Sequence, residues 1–228
     1  MDFLSVLNQN KPALIMSLPG NDPELARAAV EAGADVIKVH MNVQHRASGL
    51  NFRSFEEEKD TLKEIKAIAG NLPVGIVAGN RVEDVERDFM SANRLGYDFV
   101  SLYAAATPLS VLAYPDMKKM IALAPGYSSD DVRLLSKIGA DVLEASVMQP
   151  ETYGQRLTAK ELLEYAAIVK NSALPVVIPT QRAIRPEEVK LLSDIGVLGI
   201  MIGAVVTGKT AETIRRSVSE FRNAIDRL

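Results

Sequence analysis

A heptapeptide pattern recurs four times along the chain of 228 residues. The copies are Glu31-Ala-Gly-Ala-Asp-Val-Ile, Arg94-Leu-Gly-Tyr-Asp-Phe-Val, Lys137-Ile-Gly-Ala-Asp-Val-Leu and Asp194-Ile-Gly-Val-Leu-Gly-Ile. A glycine in this position is typical of a helix end, and the apolar run that follows it predicts a strand. The pattern therefore predicts four places where a helix leads directly into a strand, and such regular repetition favours a closed barrel of repeated units.

The same alternation continues between the repeats, so that eight strands are each followed by a helix. The predicted strands are 13–18, 36–41, 73–78, 99–103, 120–124, 142–147, 175–179 and 199–204. The predicted helices are 22–32, 55–69, 82–95, 109–118, 129–138, 159–171, 186–195 and 211–228, and Pro115 interrupts the fourth. Strict alternation favours parallel strands joined by crossover helices. We therefore expect a single (β/α)8 TIM barrel, an α/β fold, in one domain over residues 1–228, with an open doubly wound sheet as the alternative.

The composition excludes several classes of protein. The absence of cysteine rules out disulfides, thiolate metal sites and cysteine nucleophiles. The net charge of −3 comes without any basic block, so no nucleic-acid partner is expected. No apolar run approaches the ~18 residues of a membrane span, and the first ten residues do not resemble a secretory signal. We expect a cytoplasmic protein without a membrane partner or a cofactor, and we leave a homodimer open.

Alternation along the strands places polar side chains inside the predicted barrel. On the second strand Ile37 and Val39 are expected to face the helices, which turns the residues between and after them inward. The inward polar residues predicted in this way are Lys38 and His40 on the second strand, Ser101 and Tyr103 on the fourth, and Glu144 and Ser146 on the sixth. Because alternate strands share a layer, Lys38 and Glu144 are expected to lie across the barrel from one another.

Two interpretations of Lys38 and Glu144 remain open. They form a buried ion pair, since neither charge is tolerated there alone, or they form an acid–base couple at the catalytic mouth. A third role, a Schiff base on Lys38, requires a lowered pKa. His40 is interpreted as a hydrogen-bonded residue of the barrel, a substrate contact or a reactive group. It and His45 are the only histidines, and two ligands are too few for a transition metal, so no metal site is expected.

The segment Gly203-Ala-Val-Val-Thr-Gly-Lys-Thr fits the spelling of a nucleotide-binding P-loop. Only residues 211–228 follow it, too few for the further strands and the metal-binding aspartate of such a domain. ATP or GTP hydrolysis is therefore rejected.

A phosphate site between the last two strand ends explains these residues better. In many barrels a phosphate is bound there by backbone N–H groups and a short helix. The expected phosphate contacts are Gln181, Arg182, Gly203 and Ala204. The alternative is that Gly203 only relieves crowding at the strand end.

Several stretches resemble one group of barrel proteins. They are Leu72-Pro-Val-Gly-Ile-Val, Val176-Val-Ile-Pro-Thr-Gln-Arg-Ala-Ile-Arg-Pro-Glu, Leu192-Ser-Asp-Ile-Gly-Val and Val205-Val-Thr. They resemble the ribulose-phosphate-binding barrel superfamily and, within it, the N-acetylmannosamine-6-phosphate 2-epimerases. The resemblance implies a phosphate site at the eighth strand. It also implies a catalytic lysine, aspartate and glutamate where this chain has Ala78, Ala124 and Thr180. These replacements argue against that particular epimerisation, since removing a proton next to a carbonyl needs a base.

Two long loops are expected to complete a site. The loop 42–54 holds Arg46 and Arg53, and the loop 148–158 holds Arg156; a guanidinium can bind two oxygens of a phosphate. Both loops are otherwise interpreted as solvated or as a dimer contact. Further polar contacts are expected from Ser17, Asn80 and Tyr103.

The sequence thus favours an isomerase, an epimerase or a carbon–carbon lyase that acts on a sugar phosphate or a similar small phosphorylated metabolite. Lys38, Glu144 and His40 are the expected reactive groups. The alternative is a regulatory barrel that binds a metabolite and has lost its catalytic groups.

Overall fold

The computed structural model describes residues 2–228, in which eight parallel strands form a closed barrel. Numbered along the chain, the strands of the barrel and of a separate two-stranded hairpin are β1 (Ala13–Ser17), β2 (Val36–His40), β3 (Val43–His45), β4 (Leu50–Phe52), β5 (Val74–Val77), β6 (Phe99–Tyr103), β7 (Lys118–Ala122), β8 (Val142–Glu144), β9 (Val176–Pro179) and β10 (Gly199–Ile202). β3 and β4 form an antiparallel hairpin outside the barrel, and β1 pairs with both β2 and β10 to close it. The predicted (β/α)8 barrel is confirmed, and an open sheet is excluded.

The helices follow the predicted order. They are α1 (Phe3–Leu7), α2 (Pro23–Glu31), α3 (Phe55–Ala69), α4 (Val82–Arg94), α5 (Leu109–Leu112), α6 (Ser129–Leu134), α7 (Ala159–Asn171), α8 (Val189–Asp194), α9 (Ala204–Thr207) and α10 (Ala211–Asp226). Asp22 caps α2 by accepting a hydrogen bond from the backbone N–H of Glu24 at 2.8 Å, with Pro23 as the first helical residue, as the sequence predicts. None of the helices within residues 2–228 is long and apolar enough to cross a membrane.

The structure corrects several predicted boundaries. The sequence predicts the fourth helix over 109–118, but α5 ends at Leu112 because Pro115 cannot continue it and β7 begins at Lys118. The strands predicted to end at 147 and 204 end at Glu144 and Ile202, since the chain leaves the sheet to form the walls of a cavity. The sequence predicts neither α1, α9 nor the hairpin.

The heptapeptide repeat ties neighbouring strands together. Its four glycines have φ between 77° and 98°, the left-handed region that ends a helix. In three copies the aspartate accepts a hydrogen bond from a backbone N–H of the neighbouring strand at 2.7–2.8 Å. The pairs are Asp35 with Leu14, Asp98 with Val74 and Asp141 with Lys119. The fourth copy has Leu198 in place of the aspartate.

The amino end of the barrel interior is apolar and is covered by α1. Phe3 of this helix stacks on Phe99, with ring centroids 3.8 Å apart. Gly75 lies against the same ring, because an added Cβ would come 2.1 Å from it. The residues that fill this end include Leu7, Ile15, Val36, Met120, Val142 and Val177. Polar side chains are thereby confined to the other end.

Candidate functional site

A cavity of about 480 Å³ opens at the carboxyl ends of the barrel strands. Its floor comes from the barrel strands, and its walls from the hairpin, the loop after β8 and the start of α9. Barrels of this kind place their binding sites at this end. Ten predicted site residues line the cavity: Ser17, Lys38, His40, Arg46, Asn80, Tyr103, Glu144, Gln181, Gly203 and Ala204.

Lys38 and Glu144 meet across the floor, as predicted, and Ser101 lies between them. The Lys38 Nζ atom is 3.3 Å from Oε2 of Glu144 and donates to Oγ of Ser101 at 3.1 Å. Ser101 donates in turn to the same carboxylate oxygen at 2.8 Å. Lys38 and Glu144 are each 5% exposed and border the cavity. The structure therefore shows a buried ion pair whose two charged groups border the cavity.

His40 and His45 lie side by side at the hairpin wall. Their ring centroids are 4.5 Å apart, and Phe52 packs on His40 with a centroid distance of 4.7 Å. Burial lowers the pKa of His40 well below its usual range, and His45 and Lys38 lower it further. Burial and, to a smaller extent, Lys38 lower the pKa of His45 to about 4. Both imidazoles are therefore neutral at pH 7.

A hydrogen-bonded row of polar groups forms the opposite wall. Tyr103 and Ser146 are linked through their hydroxyl oxygens at 2.9 Å. The Gln181 side-chain amide donates to Ser146 at 2.9 Å and to the Tyr153 hydroxyl at 2.5 Å. Burial raises the pKa of Tyr103 above its usual range, so the hydroxyl stays protonated at neutral pH. This wall offers neutral hydroxyl groups to a ligand. Gln181 acts in it mainly by holding the neighbouring side chains in place.

The end of the cavity at which the sequence predicts a phosphate lies at the start of α9, and we call it the phosphate end. The N–H of Gly203 donates to Oγ1 of Thr180 at 3.1 Å, which corrects the expectation that it binds a phosphate. What Gly203 contributes is the space left by its missing side chain. Ala204 and Val205 border the cavity as the first residues of α9, where backbone N–H groups have no acceptor within the helix. These two N–H groups are the donors available at this end.

Three predicted arginines lie outside the cavity, which is a correction to the proposed ligand set. Arg182 is buried and pairs with Glu161 at 2.6 Å, so it holds the loop after β9 rather than a ligand. The other two arginines pair with nearby glutamates at the surface. These pairs are Arg156 with Glu188 at 2.8 Å and Arg53 with Glu58 at 3.7 Å.

The positions singled out by the epimerase resemblance differ in their surroundings. Ala78 is buried in the core outside the cavity, so a lysine there would need a different local backbone to reach it. Ala124 and Thr180 do line the cavity. Neither side chain can act as a base, as the sequence indicates.

The segment that spells a P-loop does not fold as one. α9 contains four residues and ends before Gly208, and α10 begins only at Ala211. A P-loop instead cradles the phosphates with one glycine-rich loop that runs directly into a long helix. In the part of the chain that the structure describes, no group of three or more His, Asp or Glu side chains is placed to hold a metal ion.

Sequence reasoning missed the site roles of four residues. Strand alternation predicts that Ser101 and Ser146 face inward, but nothing in their spacing indicates their partners. Ser101 bridges the Lys38–Glu144 pair, and Ser146 links Tyr103 to Gln181. His45 reaches the cavity from the β3–β4 hairpin and Tyr153 from the loop after β8. Only the fold of these segments brings them there, so alternation along a barrel strand gives no signal for them.

Comparisons with known proteins place the chain among (β/α)8 barrels. No family model matches it, and no curated protein matches it in sequence. Among solved structures, tryptophan synthase of Mycobacterium tuberculosis is 14% identical with a TM-score of 0.74, covering 98% of each chain. Thiamine phosphate pyrophosphorylase of Pyrococcus furiosus is 18% identical with a TM-score of 0.66, covering 96% of each chain.

A third similar structure is KGPDC of Streptococcus mutans. It is 14% identical with a TM-score of 0.68 and covers 96% of this chain and 99% of its own. The chain shares the fold of all three proteins. At these identities the likeness is one of fold alone, and the epimerase resemblance stays a prediction.

Proposed function

We propose that the cavity binds a small phosphorylated metabolite and that the protein is an isomerase, an epimerase or a carbon–carbon lyase. One observation carries the proposal: Lys38 and Glu144 border the same open cavity as the start of α9. An ion pair that served stability alone would not need a cavity above it. The phosphate in the name of the thiamine phosphate pyrophosphorylase supports the ligand class.

In this proposal the phosphate binds to the N–H groups of Ala204 and Val205, next to the space above Gly203. The reacting carbons then lie over the floor. For an isomerase or epimerase, the Glu144 carboxylate removes a proton from the carbon next to a carbonyl, and the electron pair of that C–H bond moves toward the carbonyl oxygen. The ammonium of Lys38 stabilises the negative charge on that oxygen. Protonated Glu144 returns the proton to the neighbouring carbon to give an isomer. An epimer forms when solvent in the open cavity supplies a proton to the opposite face of the same carbon and takes up the proton held by Glu144.

For a lyase, Glu144 removes the proton of a hydroxyl group on the departing carbon, and the carbon–carbon bond next to the carbonyl breaks to release an aldehyde. Lys38 stabilises the enolate that remains, which then takes up a proton from solvent. His40 is neutral, and it contacts Ser17 only weakly, with 3.5 Å between Nε2 and Oγ. We assign it to ligand contact rather than to proton transfer. A Schiff base on Lys38 is less well supported, because its amine is held between Ser101 and Glu144.

A thermal-shift screen tests the phosphate site. Sugar phosphates, triose phosphates and inorganic phosphate are each added to the wild type, and a ligand that binds only the native state raises Tm. Ala204→Glu places a carboxylate beside the proposed phosphate and should abolish the shift. Ala159→Glu makes the same change at the exposed first residue of α7 and should preserve it. If no phosphorylated compound raises Tm, the proposal is wrong.

Turnover of the compound found in this way tests the chemistry. Lys38→Met and Glu144→Gln should each reduce kcat strongly. If both variants fold and turn over at the wild-type rate, the assigned roles are wrong. Selective binding without any turnover would instead favour a regulatory barrel, for which the absence of acidic or basic side chains at Ala78, Ala124 and Thr180 is the specific argument.

A further inference from the structure

The charge balance of the cavity leaves one cation without a partner. Among the described residues that line it, the lysine, arginine and glutamate side chains are Lys38, Arg46 and Glu144, and Lys38 and Glu144 form an ion pair with each other. Arg46 lies in the turn of the β3–β4 hairpin and forms no ion pair with any carboxylate of residues 2–228. It thus differs from the three other predicted arginines, each of which is paired with a glutamate.

Two imidazoles, both neutral at pH 7, line the cavity next to the hairpin turn that carries Arg46, and together the three side chains form one corner of the cavity. Nδ1 of His45 is 2.8 Å from Oγ of the buried Ser48, which fixes the ring while its other nitrogen remains available. Nδ1 of His40 is buried and has no hydrogen-bond partner among the described residues. Unpaired buried nitrogens are costly unless a ligand uses them. An anion at this corner would meet a guanidinium and two imidazoles.

This corner is separate from the phosphate end. β2 and the hairpin that follows it lie on one side of β1, and β10 with α9 lies on the other. Because neighbouring strands are about 4.8 Å apart, the two ends are separated by about 10 Å along the wall. One phosphate cannot reach both. The same cavity extends between them and also borders Lys38 and Glu144, so we assign the intervening space to the carbon chain of the ligand.

We propose that the ligand carries two anionic groups, a phosphate on the N–H groups of Ala204 and Val205 and a second phosphate or carboxylate on Arg46, His45 and His40. This inference rests on the proposed function and narrows its substrate class to sugar bisphosphates and phosphorylated sugar acids. In this arrangement the hairpin recognises the second anionic group of the substrate, and the loop after β8 forms the opposite wall of the cavity.

Isothermal titration calorimetry with matched pairs of probes tests the second anion site. Fructose 6-phosphate is compared with fructose 1,6-bisphosphate, and glycerol 3-phosphate with 3-phosphoglycerate. We expect the wild type to bind at least one two-anion probe about tenfold more tightly than its partner, the effect of one charge-assisted hydrogen bond at a partly exposed site. Arg46→Gln should reduce that preference to less than about twofold. Arg81→Gln removes an exposed arginine that pairs with Glu83 outside the cavity and should preserve it.

The outcomes separate this inference from the proposed function. A preference within the fructose pair alone indicates a second phosphate, and one within the glycerol pair alone indicates a carboxylate on a shorter chain. If the monophosphates bind and the two-anion probes bind no more tightly, or if the preference survives Arg46→Gln, the second anion site is wrong while the phosphate site stands. If none of the four probes binds while the thermal-shift screen finds a monophosphorylated ligand, the second anion site is wrong and the phosphate site stands. If that screen also finds no ligand, both proposals are wrong.

Discussion

The same barrel strands line both ends of the barrel interior, but their inward-facing side chains are apolar at the amino end and polar at the carboxyl end. At the amino end, β2, β6 and β8 point Val36, Phe99 and Val142 inward. Two residues further along each strand, the inward side chains are Lys38, Ser101 and Glu144, and two residues further again they are His40, Tyr103 and Ser146. One end is sealed by α1, and the other opens into the cavity.

This difference shows where the fold tolerates polar groups. A polar side chain at the amino end would be buried among apolar residues without a partner, which is costly. At the carboxyl end each charge has a neighbour of opposite sign or access to the cavity. The amino end therefore supplies the stability of the barrel, and the carboxyl end is free to carry chemistry.

The largest effect is expected when one charge of the floor is removed. Lys38→Met leaves Glu144 buried without its cation and should lower the free energy of unfolding by about 3–5 kcal/mol. Lys38→Met combined with Glu144→Met makes the middle layer as apolar as the amino end and should recover most of this loss, while turnover stays abolished. Urea unfolding of the two single variants and the double variant measures this. A double variant that is no more stable than Lys38→Met would contradict the ion pair.

A matched pair of glycines compares the two ends directly. Gly75→Ala brings a Cβ to 2.1 Å from the ring of Phe99 and should cost about 1–3 kcal/mol, occasionally more, through overpacking. Gly203→Ala brings a Cβ only to 3.4 Å from the backbone oxygen of Ser17, so it should be nearly neutral for stability. Phosphate affinity should show the reverse order, unchanged in the first variant and reduced in the second. Thermal unfolding with and without ligand gives both quantities.

The fold could be predicted from the sequence because its signals are local. The repeated glycines end helices, and the apolar runs after them form strands, so the pattern specifies each unit without reference to the rest of the chain. Where the structure departs from the predicted elements, the cause is also local. Pro115 shortens the fourth helix, and α1 has only five residues, too few for a helical pattern to be distinguished in the sequence.

The candidate site could be predicted only where a strand fixes the direction of a side chain. The alternation of side chains along the strands correctly predicts that Lys38 and Glu144 meet inside the barrel, although they are 106 residues apart in sequence. Loop residues follow no such rule. The sequence predicts both Arg46 and Arg182 as ligand contacts, and only tertiary structure distinguishes the arginine at the cavity from the one buried against Glu161.

The carboxyl end should also respond to pH where the amino end does not. The folded chain keeps His45 neutral down to a pKa of about 4, whereas its unfolded pKa is about 6.5. Between these values the unfolded chain binds more protons, so the free energy of unfolding falls as the pH falls. We expect a loss of roughly 1–2 kcal/mol from His45 between pH 7 and pH 5. His45→Gln should make the pH profile from urea titrations flatter in this window. An unchanged profile would contradict a His45 that stays neutral in the folded chain.

The smallest effect is expected for the aspartates of the heptapeptide repeat, which are polar residues close to the otherwise apolar amino end of the barrel. Asp98 accepts from the backbone N–H of Val74 and pairs with Lys66 at 2.6 Å. Asp98→Ala leaves that N–H without its acceptor and should cost about 1 kcal/mol, whereas Asp98→Asn keeps an acceptor oxygen and loses only a partly exposed ion pair of smaller value. Urea unfolding should therefore rank the wild type above Asp98→Asn, and Asp98→Ala last, with ligand affinity unchanged in all three. The fourth repeat has Leu198 in this position, which shows that the barrel closes with one such bond missing. Equal losses for the two variants would mean that the ion pair, and not the bond to the neighbouring strand, is what this aspartate supplies.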